Sequence, residues 1–270
     1  MQDTTKLMQQ LEKDLLVDTK KDLCYPPVAL SLGEKLIKSN KGDQLLPIPI
    51  CTYTNIVMVS APPKSKKTFF ISLLASIYLS GKNRFGGKIK GHRNGRCLIH
   101  FDTEQGSWHT QRVGRRIIEM SEGSLGCYHI YSLRSLFPKT RIEFIEYCLK
   151  TKHNIGMVVI DGVADLCNDV NSLEDANYTV QKLMEWTAKY NCTILTVIHS
   201  NYGSTKATGH LGSALMKKVE TEIELSNNPS NQDRINVTCS RSRNYAFETF
   251  SFSVNDIGLP FVNDLYDPLA

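Results

Sequence analysis

Apolar residues change their period along this chain, and the changes predict its elements. Leu7, Met8, Leu11, Leu15 and Leu16 recur at helical spacing within residues 5–16. Residues 17–49 are mixed and polar, broken by Pro26, Pro27, Pro47 and Pro49. Residues 1–45 therefore read as an extension carrying one amphipathic helix, ahead of a core over 46–270. In the core, short apolar runs alternate with longer helical segments. Residues 55–60 (NIVMVS) predict a strand. Residues 68–79 (TFFISLLASIYL) are apolar all round, as a helix buried against a sheet would be. Further strands are expected at 97–102, 128–132, 157–161 and 192–199, and further helices at 108–120, 141–149 and 171–190. In 108–120, Val113 and Ile117 share one face, while Arg112, Arg115 and Arg116 lie on another. The helix at 171–190 opens with Ser172-x-x-Asp175, an acidic form of the capping box.

After residue 220 the pattern changes. Segments 221–225, 235–239 and 247–254 alternate apolar and polar residues, as half-exposed antiparallel strands do. Strands separated by helices require crossover connections, so the first part of the core should be a parallel sheet covered on both faces. The expected fold is α/β: a mainly parallel sheet flanked by helices, with antiparallel strands added at the C-terminal edge. The sequence holds no internal repeat and no low-complexity tract.

Composition narrows the picture. A length of 270 residues suits one large domain, or one domain with an extension. The hydrophobic share is 41% and the charged share 22%, ordinary for a chain with a buried core. No apolar run approaches the roughly 20 residues that span a bilayer. The opening MQDTTKLMQQLEKDLL lacks the basic flank and apolar run of a secretory signal. A cytoplasmic protein without a membrane partner is the expectation. The eight cysteines, at 24, 51, 97, 127, 148, 167, 192 and 239, show no C-x-x-C and no zinc spacing. Several, such as Cys97 and Cys192, fall in apolar runs and read as small buried hydrophobes under reducing conditions. A net charge of +5 permits a polyanionic partner without requiring one.

Candidate chemistry begins after the first core strand. Residues 61–68 read Ala-Pro-Pro-Lys-Ser-Lys-Lys-Thr and lead into a helix. Their register is that of G-x-x-x-x-G-K-[ST], in which backbone N–H groups wrap phosphates, the lysine reaches the β- and γ-phosphates and the hydroxyl holds Mg²⁺. Lys67 and Thr68 stand at the last two motif positions, at a helix N-terminus that favours anions. Ala61 and Lys66 replace the two glycines, whose role is close backbone approach and positive φ. Lys64, Ser65, Lys66, Lys67 and Thr68 are the candidate phosphate-binding residues. A basic, solvated turn before a helix is the other reading of the same residues.

Open α/β sheets bind ligands beyond the carboxyl ends of their strands, and three more such ends are polar here. The strand at 97–102 runs into Asp102-Thr103-Glu104-Gln105. One carboxylate there can polarise an attacking water, and another can cap the next helix. The strand at 157–161 ends on Asp161, where an acid can hold Mg²⁺ together with Thr68. An Asp before Gly162 also suits a plain turn. The strand at 192–199 ends on His199, where a polar group can sense a terminal phosphate. A single histidine implies no metal cluster.

In this order the features resemble the RecA/DnaB superfamily, and most closely the RepA-type hexameric ATPases of plasmids and mobile elements. The resemblance covers about residues 25–262, on KSKKTFF, FDTEQ, VVIDGVADL, VIHSN with GHLGSALMKKVET, and SRSRNYAFETFSFSV. It implies a RecA-like P-loop domain that binds ATP and Mg²⁺. Lys67 and Thr68 would hold phosphate and metal, Asp161 would be the metal-holding acid, Glu104 the catalytic carboxylate and His199 the sensor. It also implies a homo-oligomer, a hexameric ring, with ATP between subunits and Arg241 and Arg243 completing a neighbour's catalytic site. Alternate residues share a strand face, which suits a joint role for these two; a pair of solvated surface arginines is the plainer reading.

Single-stranded DNA is the partner the resemblance implies. The loops facing it would be 166–171 and 202–211. The second, YGSTKATGHL, carries Lys206 and His210, and Lys217 and Lys218 follow on the next helix. Loops with a few cations can track a phosphate backbone. Asp165 and Asp169 make the first loop acidic or neutral, which argues against a tight backbone contact, and a solvated mobile loop is the plainer reading of the residues alone. The leading expectation is an ATP-driven, helicase-like motor on single-stranded DNA, serving replication or mobilisation of a plasmid or other mobile element. The alternative is a nucleotide-dependent switch or loader that assembles on ATP without motor activity, which the missing glycines favour. A degenerate P-loop scaffold is a third reading, set against by the retention of Lys67, Thr68, Glu104, Asp161 and the paired arginines.

Overall fold

The computed structural model describes residues 2–21, 25–38, 42–122, 125–200 and 207–263. Its elements begin with α1 (Gln2–Leu15), β1 (Val28–Ile37), β2 (Gln44–Thr52), β3 (Ile56–Ala61), α2 (Lys67–Ser80) and β4 (Ile89–Gly91). They continue with β5 (Cys97–Asp102), α3 (Ser107–Met120), β6 (Tyr128–Ser132), α4 (Pro138–Thr151), β7 (Ile155–Asp161), α5 (Leu173–Tyr190) and β8 (Thr193–His199). The last are α6 (Gly209–Met216), β9 (Thr221–Asn227), β10 (Ile235–Ser242), β11 (Phe250–Val254) and β12 (Pro260–Val262). Nine strands form one sheet in the order β12-β11-β10-β9-β3-β8-β7-β5-β6.

The expected α/β architecture is present. Strands β3, β8, β7, β5 and β6 pair in parallel. Every residue of β3 and β7 is buried, because helices cover both faces of the sheet. Helices α2 and α3 lie on one face, packed on Val57, Val59, Leu98 and Val159. Helices α4, α5 and α6 lie on the other, around Trp186, Phe101 and Ile160. The capping box of α5 is half made. The Asp175 N–H donates to Ser172 Oγ at 3.2 Å, but the Asp175 carboxylate accepts from the backbone of Asn168 and Asp169 instead.

Two expectations change in detail. Residues 221–225 do form a strand, but β9 runs parallel to β3, because α6 carries the chain across the sheet from β8. The antiparallel edge starts one strand later, with β10, β11 and β12. The second change lies in the N-terminal stretch. β1 pairs with β2 and with β4 in a three-stranded layer that packs Ala29, Leu30 and Ile50 into the core shared with α2. A boundary near residue 45 falls inside this layer. The prolines that hid it are tolerated because β2 is an edge strand. α2 is buried all round because it lies between this layer and the main sheet. α1 stands apart from it, with Leu7, Met8 and Leu15 exposed.

Candidate functional site

Strand register gathers the candidate residues at one end of the sheet. Ala61 pairs with His199 on β8, and Asp161 pairs with both Val197 and Asp102. The phosphate loop leaves β3 at that same end, beside a cleft of about 430 Å³ lined by residues 64–69, Glu104 and His199. The sheet thus brings together residues up to 135 positions apart in sequence, from Lys64 to His199.

The loop explains how the motif survives without its glycines. Ala61 is the last residue of β3 and is fully buried. Lys64 and Lys66 adopt φ of 63° and 58°, so the left-handed turn a glycine would make is made by lysine. That conformation costs a non-glycine residue about 1 kcal/mol. Left-handed residues alternating with Ser65 give the backbone pattern of an anion nest. Among the described residues no acceptor takes the backbone N–H groups of residues 64–68. These are the free donors of a helix start, and the residues that carry them line the cleft. The Lys66 ammonium reaches the Asp233 carbonyl at 3.2 Å, and the Ser65 hydroxyl donates to the Pro62 carbonyl at 2.6 Å.

Lys67, His199 and Glu104 form a chain of contacts. The Lys67 ammonium lies 3.1 Å from His199 Nδ1, and His199 Nε2 lies 3.4 Å from Glu104 Oε1. Lysine can only donate, so Nδ1 accepts and Nε2 carries the proton toward Glu104. The His199 hydrogen bond holds the Glu104 carboxyl below its usual range, aided by the charge of Lys67. Burial lowers the Lys67 ammonium against the pull of Glu104 and Asp161. The choice between Asp102 and Glu104 resolves on hydrogen bonding. Asp102 is buried and accepts from the N–H groups of Glu104 and Gln105 and from the Thr110 hydroxyl. It fixes the turn, which leaves Glu104 to face the cleft.

Thr68 donates its hydroxyl to Asp161 Oδ2 at 3.1 Å. Asp161 is almost wholly buried, and that burial, with Asp102 and Glu104 nearby, pushes its carboxyl up to about 7. Gly162 follows with φ of 102°, and a Cβ there would come within 2.7 Å of Glu104 Cγ. The glycine thus leaves room for the Thr103 and Glu104 side chains against the turn that follows Asp161. Among the described residues no group of three or more His, Cys, Asp or Glu could hold a metal alone. Thr68 and Asp161 instead fit Mg²⁺, which is commonly held by one or two protein oxygens with the rest from phosphate and water.

Six cleft residues, Gln105 and Val113 among them, are not among the candidates the sequence offered. Arg112 and Arg116, with His109, come from α3, and Phe69 follows Thr68. The Arg116 guanidinium stacks on the Phe69 ring at 3.9 Å, and burial beside Arg112 lowers it to about 10. The arginines were visible as a polar helix face; the pattern alone does not say that this face borders a cleft.

Other candidates lie elsewhere. Arg241 pairs through its side chain with Glu222 at 3.5 Å, and Arg243 donates to the carbonyls of Lys217 and Lys218. Arg243 stands level with the start of β3, about 17 Å along the strands from its loop end, and Arg241 stands level with Met58, about 10 Å from it. They do not reach this subunit's own cleft. Lys206 lies outside the described residues. His210 sits in the first turn of α6, not in a loop, and Lys217 is the C-cap of that helix. Together with Lys218 they border a groove of about 300 Å³ between α5 and α6. Among the described residues no helix is long and apolar enough to cross a membrane.

A family model described as an AAA domain matches residues 50–204, from β2 to just past His199. No curated protein matches the chain significantly.

Proposed function

The chain belongs to the AAA domain family, with a P-loop nucleotide-binding fold, and from that premise we propose that it hydrolyses ATP with Mg²⁺ and couples this to single-stranded DNA as a homo-oligomer. The observation that carries the reading is the gathering of Thr68 with Asp161, and of Lys67 with His199 and Glu104, at one cleft end. The free N–H groups of residues 64–68 would cradle the phosphates, with the Lys67 ammonium on their terminal oxygens. Mg²⁺ bound by Thr68 and Asp161 would neutralise charge on the phosphate oxygens. Glu104, held ionised by His199, would orient a water and accept its proton. When Lys67 turns to phosphate, His199 loses the donor on Nδ1, which would pass the nucleotide state to the chain after β8. Phe69, Arg112 and Arg116 leave a flat, cationic wall for the rest of the nucleotide.

Arg241 and Arg243 lie far from their own phosphate loop, which suits completion of a neighbour's site in a ring, hexameric by the resemblance. Lys206, His210 and Lys217 follow His199 in the chain, which suits contact with a DNA backbone that answers to nucleotide state. One observation favours the switch reading instead. Glu104 is tied to His199 and, through it, to Lys67, so the base would be released only on binding. Titration calorimetry with ATP and Mg²⁺ tests the site itself. Binding by the unaltered chain and its loss in Lys67→Ala are expected; equal binding by both would remove the phosphate-loop assignment.

A further inference from the structure

We propose that Cys127 and Cys97 form an oxidation-sensitive thiol pair, in which a hydroperoxide oxidises Cys127 and Cys97 resolves it to a disulfide. The sequence separates these residues by 30 positions and gives no sign of pairing. The fold brings them together. Leu98 on β5 pairs with Tyr128 on β6 in parallel register, so the preceding residues, Cys97 and Cys127, stand opposite each other across adjacent strands. Neighbouring strands lie about 4.8 Å apart, within the Cα spacing a disulfide accepts. Residues opposed in a parallel pair point to the same face. Cys127 closes a short 3-10 turn ahead of β6, so its backbone is not locked in the ladder. Both thiols are partly exposed, whereas Cys51, Cys148, Cys167 and Cys192 are buried.

A second observation comes from Arg93, in the connection between β4 and β5. Its Nη1 is buried without a hydrogen-bond partner. That is a costly state for a guanidinium nitrogen unless an anion completes it. The Arg93 guanidinium as a whole lies close enough to the Cys127 thiol to act on it. The Cys97 hydrogen bond lowers the Cys127 thiol, and the Arg93 guanidinium adds to this, while burial opposes it. Cys97 is pushed up to about 11 by burial and by Cys127. Cys127 is thus the thiol that ionises more readily and attacks first, and Cys97 the one that follows.

The chemistry balances. The Cys127 thiolate attacks the terminal peroxide oxygen, the O–O bond breaks and hydroxide or alkoxide leaves, giving a sulfenic acid. The Cys97 sulfur then attacks that sulfur, the S–O bond breaks, and water leaves once the Cys97 proton is taken up. Two thiols are oxidised by two electrons and the peroxide is reduced by two. The bridge would close a loop that contains Glu104 and all of α3 with Arg112 and Arg116, and so would fix the wall of the cleft described above. The pairing itself does not depend on what that cleft binds.

The full chain would be treated with hydrogen peroxide at neutral pH, alkylated, and mapped by mass spectrometry without reduction. A peptide linked through Cys97 and Cys127 and lighter by two hydrogens is expected. Cys97→Ser should instead carry sulfenic or sulfinic acid on Cys127, and Cys127→Ser should keep Cys97 reduced. In the unaltered chain Cys127 should react with iodoacetamide faster than Cys239, whose thiol burial raises, and Arg93→Met should slow it. Alkylation of Cys127 no faster than Cys239, or oxidation of the two thiols without a linked peptide, would overturn the proposal.

Discussion

Replacing Asp161 by asparagine should make the ligand-free protein more stable while abolishing hydrolysis. Asp161 ends β7 almost wholly buried, with Asp102 and Glu104 as acidic neighbours and the Thr68 hydroxyl as its donor. Its carboxyl is raised from 3.8 to about 7. A raised carboxyl binds its proton more tightly in the folded chain than in the unfolded one. Stability is then lost as pH rises from about 4, and the loss is complete above about 7. A shift of about 3 units, at about 1.4 kcal/mol each, amounts to about 4 kcal/mol at pH 8. Asparagine still offers an oxygen to Thr68 but has no charge to bury. Urea unfolding of both proteins at pH 5, 6.5 and 8 measures the difference. The variant should gain on the unaltered chain as pH rises, by about 4 kcal/mol at pH 8 and much less at pH 5. A difference that stays constant with pH, or a variant weaker at pH 8, would refute the claim that Asp161 is a strained, charged acid awaiting a cation.

Other substitutions separate the roles of neighbouring residues. Lys66→Gly should stabilise the fold by up to about 1 kcal/mol in thermal unfolding, because glycine takes the left-handed conformation without strain; a loss of stability would contradict the reading of that φ. Glu104→Gln should keep ATP affinity and lower turnover at least about 100-fold. Asp102→Ala should instead lose about 2–3 kcal/mol of stability, since two N–H groups and the Thr110 hydroxyl lose their acceptor. Arg243→Ala should bind ATP normally and fail to turn it over, and active sites should not be restored by raising protein concentration. Removing residues 1–20 should shift an oligomer toward monomer in light scattering, because the apolar face of α1 is exposed within one chain.

Much of the central sheet was legible because buried parallel strands leave long apolar runs, as in NIVMVS and MVVID. The polar residues ending the runs of β3, β5, β7 and β8 then fell at one end of the sheet, since these strands run parallel. β1 and β2 were not legible. Glu34, Lys35 and four prolines lie in or near them, and an edge layer tolerates such residues where a central strand does not. The lysine at the second glycine position was a mark against the phosphate loop on sequence grounds. A single left-handed residue of modest cost removes that objection, and no residue pattern announces it. Arg112 and Arg116 escaped because periodicity assigns faces to a helix without saying what each face meets. The same limit hid the pairing of Cys97 with Cys127, which depends on strand register.

Steady-state ATP hydrolysis by the purified chain with Mg²⁺, with and without single-stranded DNA, tests the central claim most directly. Mg²⁺-dependent turnover that DNA accelerates and that Glu104→Gln removes is expected. ATP binding without turnover, unchanged by DNA, would contradict the motor and leave the nucleotide switch.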